Sequence, residues 1–380
     1  MRKEKKRIAF YCSSLSKGGA ERVFVNLAEY FRQKGYDVSI ITQYRREDEY
    51  AISEGITRII SDLTEEETGK GRIGNFIGRL LKLRRICRQV QPDILLSCNG
   101  KNNFMALAAN TFLKTKVVVS VVADPVLEYY TGFMRFLAKN YFCFASGVVL
   151  QTRQAMAYFP RRVQKKSVIL PNSLNPRFIR PRFEGERRKE IVAVGRLDEN
   201  KNHAMLIRAF SSLVQEFPDY TVTVYGEGES RRDLEELVKS LHLEGKVFLP
   251  GRQDALEDRM YESSLFVMTS DTEGMPNALI EAMSLGLPVI STDCPCGGPA
   301  ELIRHGENGY LVPVRDEAAL TEQMRYCLHH RTEAKQAGRK AAEIQKRMNP
   351  DVVNKKWEAY FACIMGRRVQ NADFGCSSSL

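Results

Sequence analysis

The amino-acid sequence predicts two α/β domains in tandem, each a doubly wound parallel sheet covered by helices. The chain has 380 residues, which is more than a single domain usually contains. Strand-like and helix-like segments alternate almost throughout, as they do in parallel sheets. A Pro- and Arg-rich stretch without periodicity, Pro171–Lys189, separates two such series and has the character of a linker. We therefore predict domains at residues 1–177 and 178–350.

The first series contains short apolar segments that are typical of buried strands. They are Arg7–Ser13, Asp37–Gln43, Ile56–Ile60, Asp93–Cys98, Lys116–Val122, Gly147–Gln151 and Ser167–Leu170. Helical periodicity fills the intervals between them. Val23, Leu27 and Phe31 share one helical face, for example, which predicts a helix over Val23–Arg32.

The second series has the same alternation of strands and helices. Its strand-like segments are Glu190–Gly195, Thr221–Tyr225, Val247–Leu249, Ser264–Thr269, Pro288–Ser291 and Tyr310–Val314. A last helix is predicted within residues 351–366 and carries Trp357, the single tryptophan of the chain. The polar tail, residues 367–380, is expected to be disordered.

The composition excludes several classes of protein. Hydrophobic residues make up 43% of the chain and charged residues 27%, which excludes wholesale disorder and a polytopic membrane protein. No apolar run reaches the roughly 20 residues of a membrane-spanning helix. The short apolar run after the basic start is expected to be a strand rather than a signal sequence. Nine scattered cysteines without metal-binding spacing are expected to be reduced thiols in the cytosol.

The net charge of +11 is unevenly distributed along the chain. Residues 1–180 contain 31 Lys and Arg against 15 Asp and Glu, whereas residues 181–380 contain 26 against 31. The first half alone is therefore expected to face an anionic partner. Nucleic acid, an acidic polymer and anionic lipid headgroups all fit this charge.

Two glycines, Gly18 and Gly19, lie where the first strand turns into the first helix. Glycine lets the backbone approach a ligand closely, and the N-terminus of a helix presents N–H groups to an anion. A tight turn without a ligand is the alternative interpretation. The pattern is not G-x-G-x-x-G, and no acidic residue ends the second strand, so a dinucleotide site is not expected here.

The first strand of the second domain ends in Gly195, with Arg196 and Lys201 in the turn that follows. Ligands of doubly wound sheets bind beyond the carboxyl ends of the strands, so both cations border that crevice. A guanidinium offers forked hydrogen bonds and an ammonium a point charge, and both suit a diphosphate. Solvated surface charges are the alternative.

The stretch Glu273–Glu281 is the most informative part of the sequence. Pro276 occupies a favoured first helical position, so the N–H groups of Asn277 to Leu279 would point out of a helix N-terminus toward the same crevice. Glu281 lies in the first turns of this helix and could accept hydrogen bonds from a ligand's hydroxyl groups. A carboxylate beside a phosphate is repulsive unless it binds neutral hydroxyls, as on a ribose or hexose. The alternative interpretation is that one of the carboxylates of Glu273 and Glu281 caps the helix and the other is solvated.

Together these segments resemble glycosyltransferase family 4, whose members are retaining enzymes with the GT-B fold. The matching pieces are the Gly-Gly-Ala-Glu-Arg turn, the Gly-Arg-Leu-x-x-x-Lys segment, the Glu-x7-Glu pattern, Gly286–Ile290 and Gly306–Gly309. The resemblance extends over about residues 7–365. It implies two Rossmann-like domains facing a central cleft, with the C-terminal helix crossing back to the first domain.

The resemblance implies a role for each residue of the donor side. Arg196 and Lys201 would hold the diphosphate of the donor and, with Glu273, are the expected catalytic residues. Glu273 would bind hydroxyls of the transferred sugar, and Glu281 would bind those of the ribose. The other donor-binding positions, several of which would act through backbone N–H groups, are Gly195, Gly274, Met275, Pro276, Asn277 and Ala278.

On the acceptor side, the resemblance implies that Gly18 and Gly19 line the cleft. One position departs from the family, because many relatives carry His where this chain has Val122 or Ala123. The next residue, Asp124, resembles the Asp-Pro of polysaccharide-assembly members. Its role is either contact with an acceptor hydroxyl or loop structure, and we expect the acceptor contact.

The implied activity is transfer of a hexose or N-acetylhexosamine, expected from a UDP-sugar, to a hydroxyl of a lipid-linked or cell-surface glycan, with retention. No Asp-x-Asp motif is present, so cationic side chains and helix dipoles would stabilise the leaving diphosphate. No metal or cofactor is therefore expected. The alternatives are a nucleotide-sugar epimerase of GT-B fold and a basic protein that binds nucleic acid or another anionic polymer. The epimerase would need acid/base residues that are not apparent in the sequence. The binding protein would need a recognition motif, which is not apparent either, so no nucleic-acid partner is expected.

The segment Arg72–Val90 predicts where the enzyme works. Its apolar residues, from Ile73 onward, follow helical spacing on one face, and its basic residues lie largely off that face. We expect the apolar face to pack on the sheet and the basic face to meet anionic lipid headgroups. With the aromatic run Phe133–Phe144, this suggests peripheral docking at the inner face of the cytoplasmic membrane, beside a polyprenyl-linked acceptor.

Overall fold

The structure is a computed structural model, and it describes residues 5–16, 18–69 and 71–366. The chain forms two compact units. The first runs to Pro171 and takes up the chain again from Val353, and the second is Asn172–Val352. The predicted disordered tail, residues 367–380, lies outside the described residues.

The first unit contains a seven-stranded parallel sheet, and the strands predicted for it are confirmed to within one residue at each end. They are β1 (Arg7–Cys12), β2 (Asp37–Thr42), β3 (Ile56–Ile60), β4 (Ile94–Cys98), β5 (Lys116–Val121), β6 (Gly147–Leu150) and β7 (Ser167–Ile169). The helices are α1 (Gly19–Gln33), α2 (Gly71–Val90), α3 (Gly100–Ala109), α4 (Pro125–Glu128), α5 (Gly132–Tyr141), α6 (Arg153–Ala157) and α7 (Arg161–Gln164).

The strand order of this sheet is β3-β2-β1-β4-β5-β6-β7. Each neighbouring pair is parallel, so the carboxyl ends of the strands lie along one edge, which we call the carboxyl edge. Alternate residues of a strand face opposite sides of a sheet. In β1, Phe10 packs on Phe24 of α1 with ring centroids 5.5 Å apart, and Tyr11 therefore points to the other side.

The second unit contains a six-stranded parallel sheet in the order β10-β9-β8-β11-β12-β13. Its strands are β8 (Arg188–Val194), β9 (Thr221–Tyr225), β10 (Val247–Gly251), β11 (Ser263–Met268), β12 (Val289–Thr292) and β13 (Tyr310–Val312). The helices are α8 (His203–Ser211), α9 (Arg231–Ser240), α10 (Leu256–Tyr261), α11 (Asn277–Ser284), α12 (Gly298–Leu302), α13 (Glu317–His329), α14 (Arg331–Ala341) and α15 (Ile344–Arg347).

The last described helix, α16 (Pro350–Ile364), packs on the first unit, as the resemblance implies. Phe361 stacks on Phe31 of α1 with ring centroids 5.2 Å apart, and the Tyr30 hydroxyl donates to Glu358 at 2.7 Å. Trp357 is buried in the same core. Within the described residues, no helix combines the length and apolar character needed to cross a membrane.

The stretch predicted to be a linker begins inside the second unit. Leu174 and Phe178 are buried in the core of that unit, and the Leu174 N–H donates to the Met348 carbonyl at 2.8 Å. The division between the units accordingly falls after Pro171, ahead of the boundary at 177 that the sequence predicts. Two isolated apolar residues in an aperiodic segment leave no pattern from which their burial could be predicted.

The prediction that the apolar face of α2 packs on the sheet holds only from Leu83 onward. Leu83, Ile86 and Cys87 are buried, but Ile73 and Phe76 are 78% and 54% exposed. The 20 residues of α2 span about 30 Å, whereas the five residues of β4 span about 17 Å. The helix is therefore longer than the sheet can cover.

Candidate functional site

Lys201 and Glu273 come together at the carboxyl edge of the second sheet. Lys201 Nζ forms an ion pair with Glu273 Oε1, and the Ser270 hydroxyl donates to the same oxygen at 2.7 Å. The two charged side chains are only 20% and 12% exposed. Lys201 follows β8 and Glu273 follows β11, and these strands are neighbours in the sheet. Residues 72 positions apart therefore meet because both loops leave the same edge.

The loop after β8, residues 195–202, carries both predicted cations. Asp198 organises it, because its carboxylate accepts from the Lys201 N–H at 3.0 Å and pairs with Arg196 at 2.8 Å. Arg196 is otherwise exposed to solvent, whereas Lys201 is shielded. A Cβ on Gly195 would lie 3.2 Å from Lys201 Cδ, so glycine leaves room for the lysine stem.

The β8 loop is joined to the loop after β11 by Asn200, which the sequence analysis did not single out. Its Nδ2 donates to the Thr272 carbonyl at 3.1 Å, and its Oδ1 accepts from the Thr272 N–H at 3.2 Å. The Asn200 carbonyl also accepts from the Asp271 N–H at 2.8 Å. This exchange of hydrogen bonds sets the separation of the two loops and hence of Lys201 and Glu273.

Helix α11 begins at Asn277, and Pro276 is the residue before it, with φ −75° and ψ 106°. The prediction that Pro276 is the first helical residue is therefore wrong by one position, because its ψ is extended. The first helical bond runs from the Ile280 N–H to the Pro276 carbonyl at 3.2 Å. The N–H groups of Asn277, Ala278 and Leu279 precede the helical ladder and form the positive end of the helix dipole.

The chain before α11 is held in place from two sides. Asn172 Nδ2 donates to the Met275 carbonyl at 3.2 Å and to Asn277 Oδ1 at 3.0 Å. On the other side, a Cβ on Gly298 would fall 1.6 Å from the Gly274 carbonyl oxygen, so only glycine permits this packing. Neither Asn172 nor Gly298 was predicted, because each is far from the motif in sequence.

Two buried titratable groups complete this edge of the second sheet. Glu281, on α11, is 5% exposed, and Glu273 is also shielded, so the alternative that one of the two carboxylates is solvated is wrong. His203, the first residue of α8, was not predicted and is also 5% exposed. Burial, and then the charge of Lys201, lower the pKa of His203 to about 4. The imidazole is therefore neutral at neutral pH and lies behind Gly195, where a Cβ would be 3.4 Å from its Nε2.

In the first unit, Gly18 and Gly19 lie at the start of α1, beyond the carboxyl end of β1. Gly18 is the residue before the helix and has an extended backbone, with φ −108° and ψ 169°. A Cβ on Gly18 would lie 2.3 Å from Glu21 Oε2. The missing side chain therefore makes room for the Glu21 carboxylate, whose pKa is raised by burial.

Asp124 is buried at the start of α4, beyond the carboxyl end of β5. Its Oδ1 accepts from the Val126 N–H at 2.9 Å, which is the hydrogen bond of an N-terminal helix cap. Of the two roles expected for this residue, loop structure is the one this contact supplies. Oδ1 is engaged by the cap, and an acceptor contact would have to use the rest of the carboxylate.

A buried carboxyl group close to Asp124 was not predicted. Glu128, at the end of α4, accepts from the Gly100 N–H at the start of α3 and from the Tyr129 hydroxyl at 3.1 Å. The network extends to β4, because Asn103 Oδ1 accepts from the Ser97 hydroxyl at 2.6 Å. Burial raises the pKa of Glu128 from 4.5 to about 7, and hydrogen bonds from Gly100 and Tyr129 only partly oppose the rise.

Glu128→Gln is expected to remove one contribution to the stability of the wild type that is lost as the pH rises. The folded protein holds the Glu128 proton more tightly than the unfolded chain, so the contribution of Glu128 to the free energy of unfolding falls as pH rises through the window from 4.5 to about 7. The shift corresponds to about 3 kcal/mol. Urea denaturation at pH 4.5 and 7.5 should show that the stability of Glu128→Gln relative to the wild type rises by about 3 kcal/mol between the two pH values, because the variant lacks this loss. Other titrating groups, such as His203, contribute equally to both proteins. Glu66→Gln, at an exposed position of the same unit, should keep the wild-type slope, and an equal slope in all three would contradict the prediction.

Within the described part of the chain, no group of three or more His, Cys, Asp or Glu side chains is arranged to hold a metal ion. The thiol near the ion pair, Cys294, is buried, and burial raises its pKa to about 12, with a further contribution from the charge of Glu273. Cys294 is therefore a neutral thiol at neutral pH.

Comparison with known proteins identifies the family. Residues 17–178 match the family described as Glycosyltransferase Family 4, and residues 176–344 match Glycosyl transferases group 1. A Campylobacter jejuni relative is 26% identical over 358 residues, which cover 92% of this chain and 97% of the relative. It is named GalNAc-alpha-(1->4)-GalNAc-alpha-(1->3)-diNAcBac-PP-undecaprenol alpha-1,4-N-acetyl-D-galactosaminyltransferase.

Two solved structures are similar to this chain in fold. Sucrose-phosphate synthase from Thermosynechococcus elongatus has a TM-score of 0.82 at 18% identity, covering 95% of this chain and 100% of the other. Anabaena Alr3699/HepE in complex with UDP and glucose has a TM-score of 0.76 at 18% identity, covering 93% and 98%. The two family matches show that the chain belongs to glycosyltransferase family 4, and these structures show that it has the two-domain α/β fold of GT-B glycosyltransferases.

Proposed function

We propose that this protein transfers a hexose or N-acetylhexosamine from a nucleotide-sugar to a hydroxyl of a lipid-linked glycan, with retention of configuration. The observation that carries the proposal is the pairing of Lys201 with Glu273, four residues before a helix N-terminus. A shielded cation and backbone N–H groups suit a diphosphate, and a carboxylate suits the hydroxyls of a sugar. The membership of the glycosyltransferase family supports this use of the three groups.

The proposed donor is a UDP-sugar, which is consistent with the UDP bound to the Anabaena protein. Its diphosphate would contact Lys201, Arg196 and the N–H groups at the start of α11. Glu273 would then exchange Lys201 for the hydroxyls of the sugar, and Glu281 would bind the ribose. The ion pair would keep both side chains ordered until the donor binds.

The proposed reaction proceeds on one face of the sugar. The acceptor hydroxyl attacks the anomeric carbon on the side from which the diphosphate leaves. The new C–O bond forms as the bond to the diphosphate oxygen breaks, and the hydroxyl proton passes to the leaving diphosphate. Lys201 and Arg196 stabilise the charge that develops on that group.

The proposed acceptor is a polyprenyl-linked glycan at the inner face of the cytoplasmic membrane, with Gly18, Gly19 and Asp124 on the acceptor side. The name of the Campylobacter jejuni relative, which includes diphospho-linked undecaprenol, supports this class of acceptor. The excess of Lys and Arg in residues 1–180 supports a location beside anionic lipid.

A panel of UDP-, GDP- and ADP-sugars tests the donor. At 100 times its dissociation constant, a true donor should stabilise the protein by about 2.7 kcal/mol, which a thermal-shift assay detects. We expect the largest shift with a UDP-sugar. A panel in which no nucleotide-sugar raises the melting temperature would overturn the proposed function.

Transfer is expected to continue in the presence of EDTA. The diphosphate would be neutralised by Lys201, Arg196 and the dipole of α11, without a divalent cation. The measurement is the initial rate with and without EDTA, followed by addition of Mn²⁺. A rate that collapses with EDTA and returns with Mn²⁺ would show that a metal ion holds the diphosphate.

A further inference from the structure

Exposed apolar side chains are concentrated in two clusters of the first unit. The α2 cluster consists of Ile73, Phe76, Ile77 and Leu81, and its members are 49% to 78% exposed. The α4–α5 cluster consists of Val126, Leu127, Tyr130, Phe133 and Phe136, which are 48% to 71% exposed. Single exposed apolar residues are normal on a protein surface, but groups of this size mark a surface that contacts something apolar.

The α2 cluster lies toward the carboxyl edge of the first sheet. Arg7, at the start of β1, donates to the Val90 carbonyl at 3.4 Å, so the C-terminal end of α2 is at the opposite edge. Near the middle of the helix, Arg79 pairs at 2.7 Å with Asp62, which follows β3. Ile73, Phe76 and Ile77 precede Arg79 by two to six residues, toward the helix N-terminus. They therefore lie at or beyond the carboxyl ends of β2 and β3.

The α4–α5 cluster lies along the same edge. Helix α4 follows the carboxyl end of β5, and Glu128 at its end accepts from the N–H of Gly100, which follows the carboxyl end of β4. In the strand order β3-β2-β1-β4-β5, the turn of Gly18 and Gly19 follows β1 and so lies between the ends of β2 and β4. The two clusters therefore flank the acceptor-side turn.

The charge around the clusters selects among possible partners. Neither α2 nor α5 contains an acidic residue. Two basic residues expected to meet lipid are partly neutralised, since Arg79 pairs with Asp62 and Lys82 with Glu67 at 2.8 Å. Exposed basic residues near the two apolar clusters include Arg72, Arg85 and Arg135. The carboxylates of Asp62, Glu67 and Glu128 are engaged by Arg79, Lys82 and the Gly100 N–H. The exposed arginines beside the apolar side chains therefore complement an anionic bilayer, which offers hydrocarbon beneath negative headgroups.

We propose that the carboxyl edge of the first sheet docks on an anionic membrane, with the α2 and α4–α5 clusters inserted at the interface. This proposal rests on the proposed function, which includes a lipid-linked acceptor. It deepens that function by naming the surface that meets the bilayer. It places the Gly18 and Gly19 turn at the headgroup level, where a polyprenyl-linked glycan presents its first sugars. Apolar insertion supplies the anchor, and the basic residues select anionic lipid.

Vesicle co-sedimentation tests this surface. The probes are vesicles of phosphatidylcholine alone and vesicles with about 30% phosphatidylglycerol, without nucleotide-sugar or glycan. We expect binding to the anionic vesicles, weakened by salt. The variants Ile73→Ser/Phe76→Ser/Ile77→Ser and Phe133→Ser/Phe136→Ser should each weaken binding about tenfold or more. Phe248→Ser, at an exposed apolar position of the second unit, is the matched control and should bind as the wild type does.

Insertion is measured separately with a tryptophan reporter. The native Trp357 is buried, so Phe133→Trp adds a signal that brominated lipid should quench, whereas Phe248→Trp should not be quenched. Serine variants that bind as well as the wild type, or a bound Phe133→Trp that escapes quenching, would overturn the proposal. Failure to bind either vesicle would also overturn it and favour an acidic protein partner. The vesicles carry no substrate, so this experiment is independent of the thermal-shift panel of nucleotide-sugars. If the protein binds the vesicles but no nucleotide-sugar stabilises it, the proposed function is wrong and the docking surface stands.

Discussion

Lys201→Ala is expected to lower the rate of sugar transfer by about 10²–10³-fold while the fold is retained. Its side chain is 20% exposed and lies at the carboxyl edge of the second sheet, where the ammonium would face the charge that develops on the leaving diphosphate. A cation held in a shielded position interacts more strongly than one in bulk water. The loss should therefore appear in turnover at saturating donor, and circular dichroism should match the wild type.

The matched control for this substitution is Lys189→Ala. Lys189 is in the same unit and also forms an ion pair, with Asp219 at 2.7 Å, but both side chains are largely exposed. It should keep full activity. Equal, small losses in both variants would remove Lys201 from the proposed site and with it the pairing on which the proposed function is based.

Arg58→Met is expected to lower the free energy of unfolding by about 3–5 kcal/mol. Arg58 holds Glu49 through two hydrogen bonds, at 2.6 and 3.0 Å, and both side chains are only 10% exposed. Removing the guanidinium leaves a shielded carboxylate without its charge partner. Glu49 also accepts from the Leu15 N–H at 3.2 Å, so the same pair orders the segment that leads to Gly18.

Urea denaturation measures this loss, and two controls locate its cause. Arg232→Met breaks a pair with Glu236 whose side chains are 87% and 61% exposed, and it should cost less than about 1 kcal/mol. Arg58→Met/Glu49→Leu removes both charges and should be more stable than Arg58→Met alone. If the double variant is the less stable, the pair stabilises the fold by some means other than charge compensation.

The pH dependence of the Arg58 variant follows from the same pair. The hydrogen bonds from Arg58 lower the pKa of Glu49 from 4.5 to about 2. The stability that the folded state gains from the ionised carboxylate is therefore present above pH 4.5 and is lost as the pH falls toward 2. In Arg58→Met this acid-induced loss should be smaller.

The sequence by itself determined the strands of both sheets and their order along the chain. Short apolar segments that alternate with periodic helices are local patterns. A buried strand of a parallel sheet can be predicted from such a run of apolar residues alone. The same holds for the donor-side motif, because Gly195, Lys201 and Glu273 lie in turns that follow strands of one parallel sheet. Such turns necessarily lie at one edge.

Only the tertiary structure decided which distant residues support those turns. Asn172 holds the start of α11 across 105 positions, and Glu128 accepts from the first N–H of α3 from the end of α4. No local pattern marks either residue, because a hydrogen bond between distant segments depends on where the packed elements bring them. The raised pKa of Glu128 follows from the same packing, since it is caused by burial.

The apolar face of α2 shows the limit of periodicity most clearly. Its spacing correctly predicted a helix and wrongly predicted burial along the whole length. A hydrophobic pattern states which residues share a face, but the dimensions of the neighbouring sheet decide how much of that face is covered. Here a helix about 30 Å long meets strands of about 17–20 Å, so its N-terminal half stays exposed at the carboxyl edge.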